Sequence, residues 1–363
     1  MNWVRKKSLS TIKSISYENW PCSTLSDLWH TFHLSYNSVE NRPINTAFLS
    51  KIPQADLIKW PPFSKQEFRD AIAKCLSSLA LGPNYLSWRH LKSLITNERC
   101  LEKFIHIANA CINLEYWLLY FKSTNIIIIP KPNKDSYNSP KSFCPIVLLN
   151  TIGKLVEKVI STQLQFQISA NRFLDSYQFG GIWQCSTIDI GLYFTYIIWV
   201  GWLKQCYTSI IAFDIAQFFP SLNHDFLSLC LTKAGLNTNV IGFFNSYHFN
   251  CSTMYSWNNF SLLSFNTNIG MGQGSALLPI LSTIYLAPII KTFKKRIKNL
   301  EIKILTDILF FVNDSLLISQ KKSYLLFSSF LLCSYNIMSK ILLDAGLIME
   351  YNKTKLFHFM QVS

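Results

Sequence analysis

The stretch Ile308–Ser319 constrains the fold more than any other. Leu309-Phe310-Phe311-Val312 and Leu316-Leu317-Ile318 are apolar runs that flank Asn313-Asp314-Ser315. Two such runs around an Asn-Asp turn predict a β-hairpin. A carboxylate, Asp314, then sits at the tip of two buried strands. The run Ser209-Ile210-Ile211-Ala212-Phe213 predicts a further strand, and it too ends in a carboxylate, Asp214. Charge held at the edge of buried strands is costly unless something neutralises it. A divalent cation is one solution. Taken singly, Asp314 reads better as a turn residue and Asp214 as a helix N-cap.

The rest of the pattern mixes the two kinds of element. Ile126-Ile127-Ile128-Ile129 is a β-branched run and predicts a strand. It stops at the basic loop Pro130-Lys131-Pro132-Asn133-Lys134-Asp135. Ser64 with Glu67 forms a capping box, and Phe68, Ile72 and Cys75 follow at helical spacing. Further helices are expected over about 101–120, from Thr151 to Gln167, from Thr187, and over about 277–290. The last follows a Gly-rich turn, Gly270-Met271-Gly272-Gln273-Gly274-Ser275. Such a turn lets backbone approach a ligand, and a helix N-terminus favours an anion, but Gly-rich helix starts also serve purely structural ends. Without regular strand–helix–strand alternation, the class is α+β. Residues 1–60 show no assignable pattern beyond the turn-rich Asn41-Arg42-Pro43.

Composition narrows the function. Hydrophobic residues make up 49% of 363 and charged residues 15%, which excludes a disordered chain. Thirty-four Lys and Arg against 20 Asp and Glu leave a net charge of +14, which favours a polyanionic partner. The mean hydropathy of +0.19 raises the question of a membrane. The longest apolar run, Ile190–Leu203, is interrupted by Thr195 and flanked by Asp189 and Lys204. It falls short of the roughly 20 residues that a spanning helix needs, so a buried helix and no membrane partner are expected. No apolar stretch follows Arg5-Lys6-Lys7, so no secretory leader is expected. The ten cysteines are scattered without a C-x-x-C pair. That argues against zinc and for small core residues in a reducing compartment.

Seven blocks in order carry the most information. They are Ile129-Pro130-Lys131-Pro132, the run Ser142-Phe143-Cys144-Pro145-Ile146 on to Thr151, Gln178-Phe179-Gly180-Gly181, and Phe213-Asp214-Ile215 with Phe218-Phe219 and Leu222-Asn223-His224. Then come Gly272-Gln273-Gly274-Ser275, Phe311-Val312-Asn313-Asp314 and Asn352-Lys353-Thr354-Lys355. In this order and spacing the chain resembles, over about residues 60–360, the reverse transcriptase of a fungal-type non-LTR (LINE-like) retrotransposon.

The resemblance implies a right-hand polymerase fold. Residues 1–60 stay unassigned, 61–120 match a helical N-terminal extension, 121–205 the fingers, and 206–363 the palm with its antiparallel sheet. The chain is expected to stop before the thumb and to lack the endonuclease and RNase H domains of many relatives. The implied activity is RNA-directed DNA polymerisation by two-metal nucleotidyl transfer, with two Mg²⁺ or Mn²⁺ ions. The implied partners are an RNA template, a DNA primer and deoxynucleoside triphosphates, and the implied location is nuclear. Asp214 matches the first metal aspartate, the Ile215 carbonyl also faces a metal, and Asp314 matches the last aspartate of the hairpin. Phe219 matches the aromatic gate against a ribose 2′-hydroxyl. Gln273 and Gly274 match the loop that positions the nucleotide. Lys131 resembles a fingers lysine near the triphosphate, and Lys353 the palm lysine that protonates pyrophosphate. Read alone, Phe219 is equally a core residue, Lys131 a solvated charge and Lys353 a strand-edge lysine.

Several positions depart from the family pattern. Asn313 stands where the family has the first hairpin aspartate, and Cys144 where it has an arginine on the triphosphate. Trp183-Gln184-Cys185 replaces basic residues, and Ser315 a common glycine. An amide offers a metal no charge, and a thiol cannot replace a bidentate guanidinium. The expected cost is several kcal/mol of metal and transition-state stabilisation, hence at least roughly 10²-fold in rate. The alternative function is a catalytically dead nucleic-acid-binding remnant of a decayed element. An apolar membrane-associated protein is a third class, suggested only by hydropathy. Decay by transition-biased mutation makes a checkable statement about the coding DNA. The codons for Asn313, Cys144, Trp183, Gln184, Cys185 and Ser315 should each lie one G:C to A:T transition from the family's residue. Sequencing the gene tests this, and codons that need transversions overturn it.

Overall fold

The computed structural model describes residues 16–17, 20–22, 24–36, 39–77, 80–257, 260–267, 269–300, 305–322 and 327–360. In chain order the elements are β1 (Ser16–Tyr17), β2 (Trp20–Pro21), α1 (Leu25–Tyr36), α2 (Lys65–Ala73), α3 (Trp88–Ile95), α4 (Glu98–Asn113), α5 (Leu119–Lys122), β3 (Ser123–Pro130) and β4 (Phe143–Leu148). They continue with α6 (Thr151–Ala170), α7 (Thr187–Leu203), β5 (Tyr207–Asp214), α8 (His224–Lys233), α9 (Thr238–His248), β6 (Cys251–Trp257), β7 (Phe260–Thr267) and α10 (Leu278–Lys298). The last are β8 (Leu305–Phe311), β9 (Asp314–Lys321), α11 (Phe327–Asp344) and β10 (Lys355–Phe359). The α+β class stands. The chain divides into two compact units. Unit 1 is Met1–Asn41, Trp60–Ser161 and Thr238–Leu278, and unit 2 is Arg42–Lys59, Thr162–Asn237 and Pro279–Ser363.

Unit 1 carries a sheet in the order β4-β3-β6-β7. β3 runs antiparallel to β4 and parallel to β6. Alternate residues of β3, Ile126 and Ile128, turn inward, as the period of two requires. They meet Phe143, Val147 and Leu149, and Leu28, Trp29 and Phe32 of α1 close over them. So part of the unassigned 1–60 segment is a core helix. The helix expected over 101–120 is shorter. α4 is capped by Asn97 and ends at Asn113, and Glu115 takes a φ of 54°, which α-helix forbids.

Unit 2 carries the antiparallel sheet β10-β5-β9-β8. Ile210, Leu309 and Ile318 point from its strands against Ile197 and Ile198 of α7. Phe213, an odd number of residues from Ile210, meets Tyr335 of α11 edge-on. Each fully buried aliphatic or aromatic side chain contributes about 1.5–3 kcal/mol. The hairpin forms, with one correction to its turn. Val312-Asn313 makes the turn, and Asp314 is already the first residue of β9. Asp214 ends a strand and caps no helix.

α7 also corrects an expectation. It is not a buried helix. Ile188, Leu192, Tyr196, Trp199 and Leu203 are between 53% and 70% exposed and fall on one stripe, while Ile197, Ile198 and Gly201 face the sheet. The helix is apolar on every side, so its sequence shows no outward face. Among the described residues no helix is long and apolar enough to cross a membrane.

Two glycines of α7 make opposite demands. A Cβ on Gly201 would lie 2.4 Å from Thr208 Oγ1 and 2.5 Å from Gln320 Nε2, whereas a Cβ on Gly191 would meet nothing within 4 Å. Gly201→Ala should therefore lower stability by about 1–3 kcal/mol. Gly191→Ala should raise it by about 0.5–1 kcal/mol through helix propensity alone. Urea unfolding midpoints of the two variants check both signs.

Candidate active site

In unit 2, Asp214 and Asp314 are direct partners in the β5–β9 ladder. Facing residues of an antiparallel pair point to the same side, with Cβ atoms about 4.5–5.5 Å apart. Two carboxylates therefore emerge side by side from one end of the sheet. The turn beside them is held in a costly shape. Val312 has a φ of 59°, a genuine outlier for a β-branched residue. The Gln178–Gly181 segment clamps it. Phe179 N–H donates to Phe310 O at 2.8 Å, and Phe310 N–H donates to Tyr177 O at 2.9 Å, extending β8 by a short parallel bridge. A Cβ on Gly180 would lie 2.5 Å from Val312 N, so only glycine permits this approach.

Both carboxylate oxygens of Asp214 are engaged. Asn313 Nδ2 donates to Oδ1 at 2.7 Å. Lys353 Nζ donates to Oδ2 in an ion pair. Lys353 is not a strand-edge lysine, because it ends the short helical turn Tyr351–Lys353 before β10. The hydrogen bond to Asp214 holds its ammonium above the usual lysine range. Burial first, and then the charge of Asp214, push the Asp314 carboxyl up, with Lys353 opposing. Asp214 O accepts from Glu350 N–H at 2.8 Å, and Ile215, which is buried, bridges to Met349. Phe219 opens the turn Phe219–Ser221, half-buried, with its ring 5.3 Å from that of Phe218.

In unit 1, four further residues come together around β4. Lys131 N–H donates to Ser142 O at 2.9 Å, and Lys131 Nζ to Lys141 O at 3.0 Å, which anchors the basic loop. The Cys144 thiol donates to Gln273 Oε1 at 3.2 Å. Burial pushes that thiol up, and Lys131 opposes it. Gln273 O accepts from Val147 N–H at 2.9 Å. Gly274 has a φ of 138°, and a Cβ there would lie 2.4 Å from Val147 O.

One residue here escaped the sequence reading. Glu157 of α6 is fully enclosed. Its carboxylate accepts from Tyr247 Oη at 2.9 Å, Ser275 Oγ at 2.9 Å and Ala276 N–H at 3.1 Å. Burial pushes the Glu157 carboxyl up, and these donors oppose it. An acid among Leu155, Val156, Val159 and Ile160, all buried, was the available signal. Among the described residues no cluster of three or more His, Cys, Asp or Glu gathers to hold a metal.

The family model for reverse transcriptase (RNA-dependent DNA polymerase) matches residues 129–362. The chain belongs to the reverse transcriptase family. It is 28% identical over 181 residues to the probable RNA-directed DNA polymerase from transposon BS of Drosophila melanogaster, covering 50% of this chain and 20% of that protein. It is 25% identical over 225 residues to the probable RNA-directed DNA polymerase from transposon X-element of the same organism, covering 62% of this chain and 24% of that one. The chain thus spans a fifth to a quarter of the length of these relatives. This reverse transcriptase domain is homologous to those transposon polymerases.

The carboxylate pair makes stability depend on pH in a defined sense. The Asp314 carboxyl is raised on folding, so its ionisation costs stability. That cost appears as pH rises through its folded value and is absent in acid. Asp314→Asn removes the repelling charge. It should raise the melting temperature at pH 7, and the gain should vanish as pH falls toward 4. A gain that persists in acid would contradict this origin.

Proposed function

We propose that this reverse transcriptase domain is of the non-LTR, fungal-type lineage. Its chemistry would be template-directed nucleotidyl transfer onto a primer 3′-hydroxyl, with deoxynucleoside triphosphates as substrates and the nucleus as its place of work. The observation that carries the reading is the cross-strand pairing of Asp214 with Asp314 at one end of an antiparallel sheet. The antiparallel sheet of unit 2 supports its reading as a palm, with β3, β4 and their basic loop belonging to fingers.

The donor set fits a hard divalent cation. Two oxygen-rich side chains sit together, and burial and then the charge of Asp214 disfavour the Asp314 carboxylate, which a cation would relieve. Asp214, Asp314 and the Ile215 carbonyl would hold it. When bound, Mg²⁺ or Mn²⁺ supplies activation of the attacking hydroxyl and neutralisation of the leaving pyrophosphate. Lys353, paired with Asp214, would hold a proton and pass it to the leaving group. Gln273 and Gly274 offer a rigid loop to the nucleotide, and Phe219 an aromatic wall against a 2′-hydroxyl.

Two residues weaken this set. Asn313 offers Asp214 a donor where a carboxylate offers a metal charge, so a second cation is held with one charge fewer. Cys144 offers a raised, neutral thiol where an arginine grips a triphosphate. A second reading, a nucleic-acid-binding remnant without catalysis, rests on one observation. With Asn313 and Lys353 both on Asp214, its charge is satisfied internally.

Primer extension on an RNA template with Mg²⁺ or Mn²⁺ separates the two. Asn313→Asp combined with Cys144→Arg should extend at least roughly 10²-fold faster than the natural chain, and adding Asp214→Asn should abolish extension. Equal rates would show that both departures are tolerated. No extension by the folded double variant, with steeply salt-dependent RNA binding, would favour the remnant.

A further inference from the structure

A buried carboxylate is an expensive way to hold a helix against a loop. It needs donors on every side, and an apolar side chain of similar size often serves stability as well or better. Glu157 nonetheless sits at full enclosure, and its donors come from three places. One is Tyr247 in α9, one the hydroxyl of Ser275, and one the Ala276 N–H. Two of the three lie in the segment directly after Gln273-Gly274. Ser275 Oγ in turn accepts from Leu277 N–H at 3.1 Å, which carries the hold into the start of α10.

The other side of the loop is held differently. Val147 N–H donates to Gln273 O, and Gly274 lies flat on Val147 O. Backbone contacts grip that side, together with the Cys144 thiol on the Gln273 side chain. The Gln273–Gly274 peptide is therefore fixed between the edge of β4 and the Glu157 carboxylate, and every bond that Glu157 makes to the loop lies within three residues of Gln273.

We propose that Glu157 is a positioning residue for the nucleotide loop, acting through Ser275 and Ala276 to fix the peptide plane of Gln273-Gly274 for an incoming deoxynucleoside triphosphate. It touches no substrate. The proposal rests on the reading of that loop as the nucleotide loop. Glu157→Gln keeps the shape but removes the charge: its one acceptor oxygen makes weaker, neutral bonds to Ser275 and Ala276, and its NH₂ has only the Tyr247 hydroxyl oxygen to donate to.

The test needs no turnover. Binding of a matched deoxynucleoside triphosphate is measured on a primer–template ending in a dideoxynucleotide, with amide exchange followed over residues 272–277. Glu157→Gln should weaken nucleotide binding about tenfold, leave primer–template affinity unchanged, and speed exchange at Gln273–Ala276. Ser275→Ala should weaken it about threefold, and the double variant should be no worse than Glu157→Gln alone, because one chain of contacts is broken once. Should Glu157→Gln not fold, Ser275→Ala decides, and unchanged nucleotide binding overturns the proposal. Nucleotide and primer–template affinity falling together in Glu157→Gln overturn it too, since that marks general loosening. A natural chain that binds primer–template but no nucleotide removes the loop's assigned role, and the proposal with it.

Discussion

Two carboxylates set side by side on one rung of a β-ladder, where burial and then the neighbouring charge disfavour the ionised Asp314, are the constraint on which unit 2 depends. Asp214 and Asp314 are locked in register by seven further rungs of β5 and β9, so their backbone positions cannot slip apart without breaking the sheet. Their charge has to be met from outside the ladder. Lys353 meets part of it through the turn before β10, and the Asn313 amide adds a dipole. The tight hairpin, the strained Val312 and the Gly180 clamp all serve to keep Asp314 in that rung.

Unit 1 solves a different problem, which is how to hold a loop still at the edge of a sheet. Its means are backbone contact with β4 on one side and an enclosed acid on the other. The Cys144 thiol closes the set by bonding the Gln273 side chain. A small neutral donor can stand there because it needs only one acceptor. It cannot carry the charge that the resemblance implies at that position.

Much of this was legible in the sequence. The hairpin read true because two apolar runs separated by a short polar break admit few other shapes. The turn was misplaced by one residue because Val312 is a poor turn former, and nothing in its type announces a positive φ. α1 was missed because Ser, Thr and His dilute its apolar spacing, and the sheet beneath it supplies the order. α7 was misjudged because a helix that is apolar all round offers no periodicity to say which side is bare. The family pattern singled out Gln273 and Gly274, whereas nothing singled out Glu157, because a lone acid in a helix usually points to water.

The bare stripe of α7 gives the chain two answers to salt. Any contact that the chain's Lys and Arg make with phosphate would weaken as ions screen it and compete for it. Contacts made by Leu192, Tyr196, Trp199 and Leu203 strengthen in salts such as sulfate, which are excluded from apolar surface. A buffer that quiets one kind of stickiness thus promotes the other. Moderate ionic strength with a weakly excluded salt is the condition in which the chain as a whole would be least adhesive.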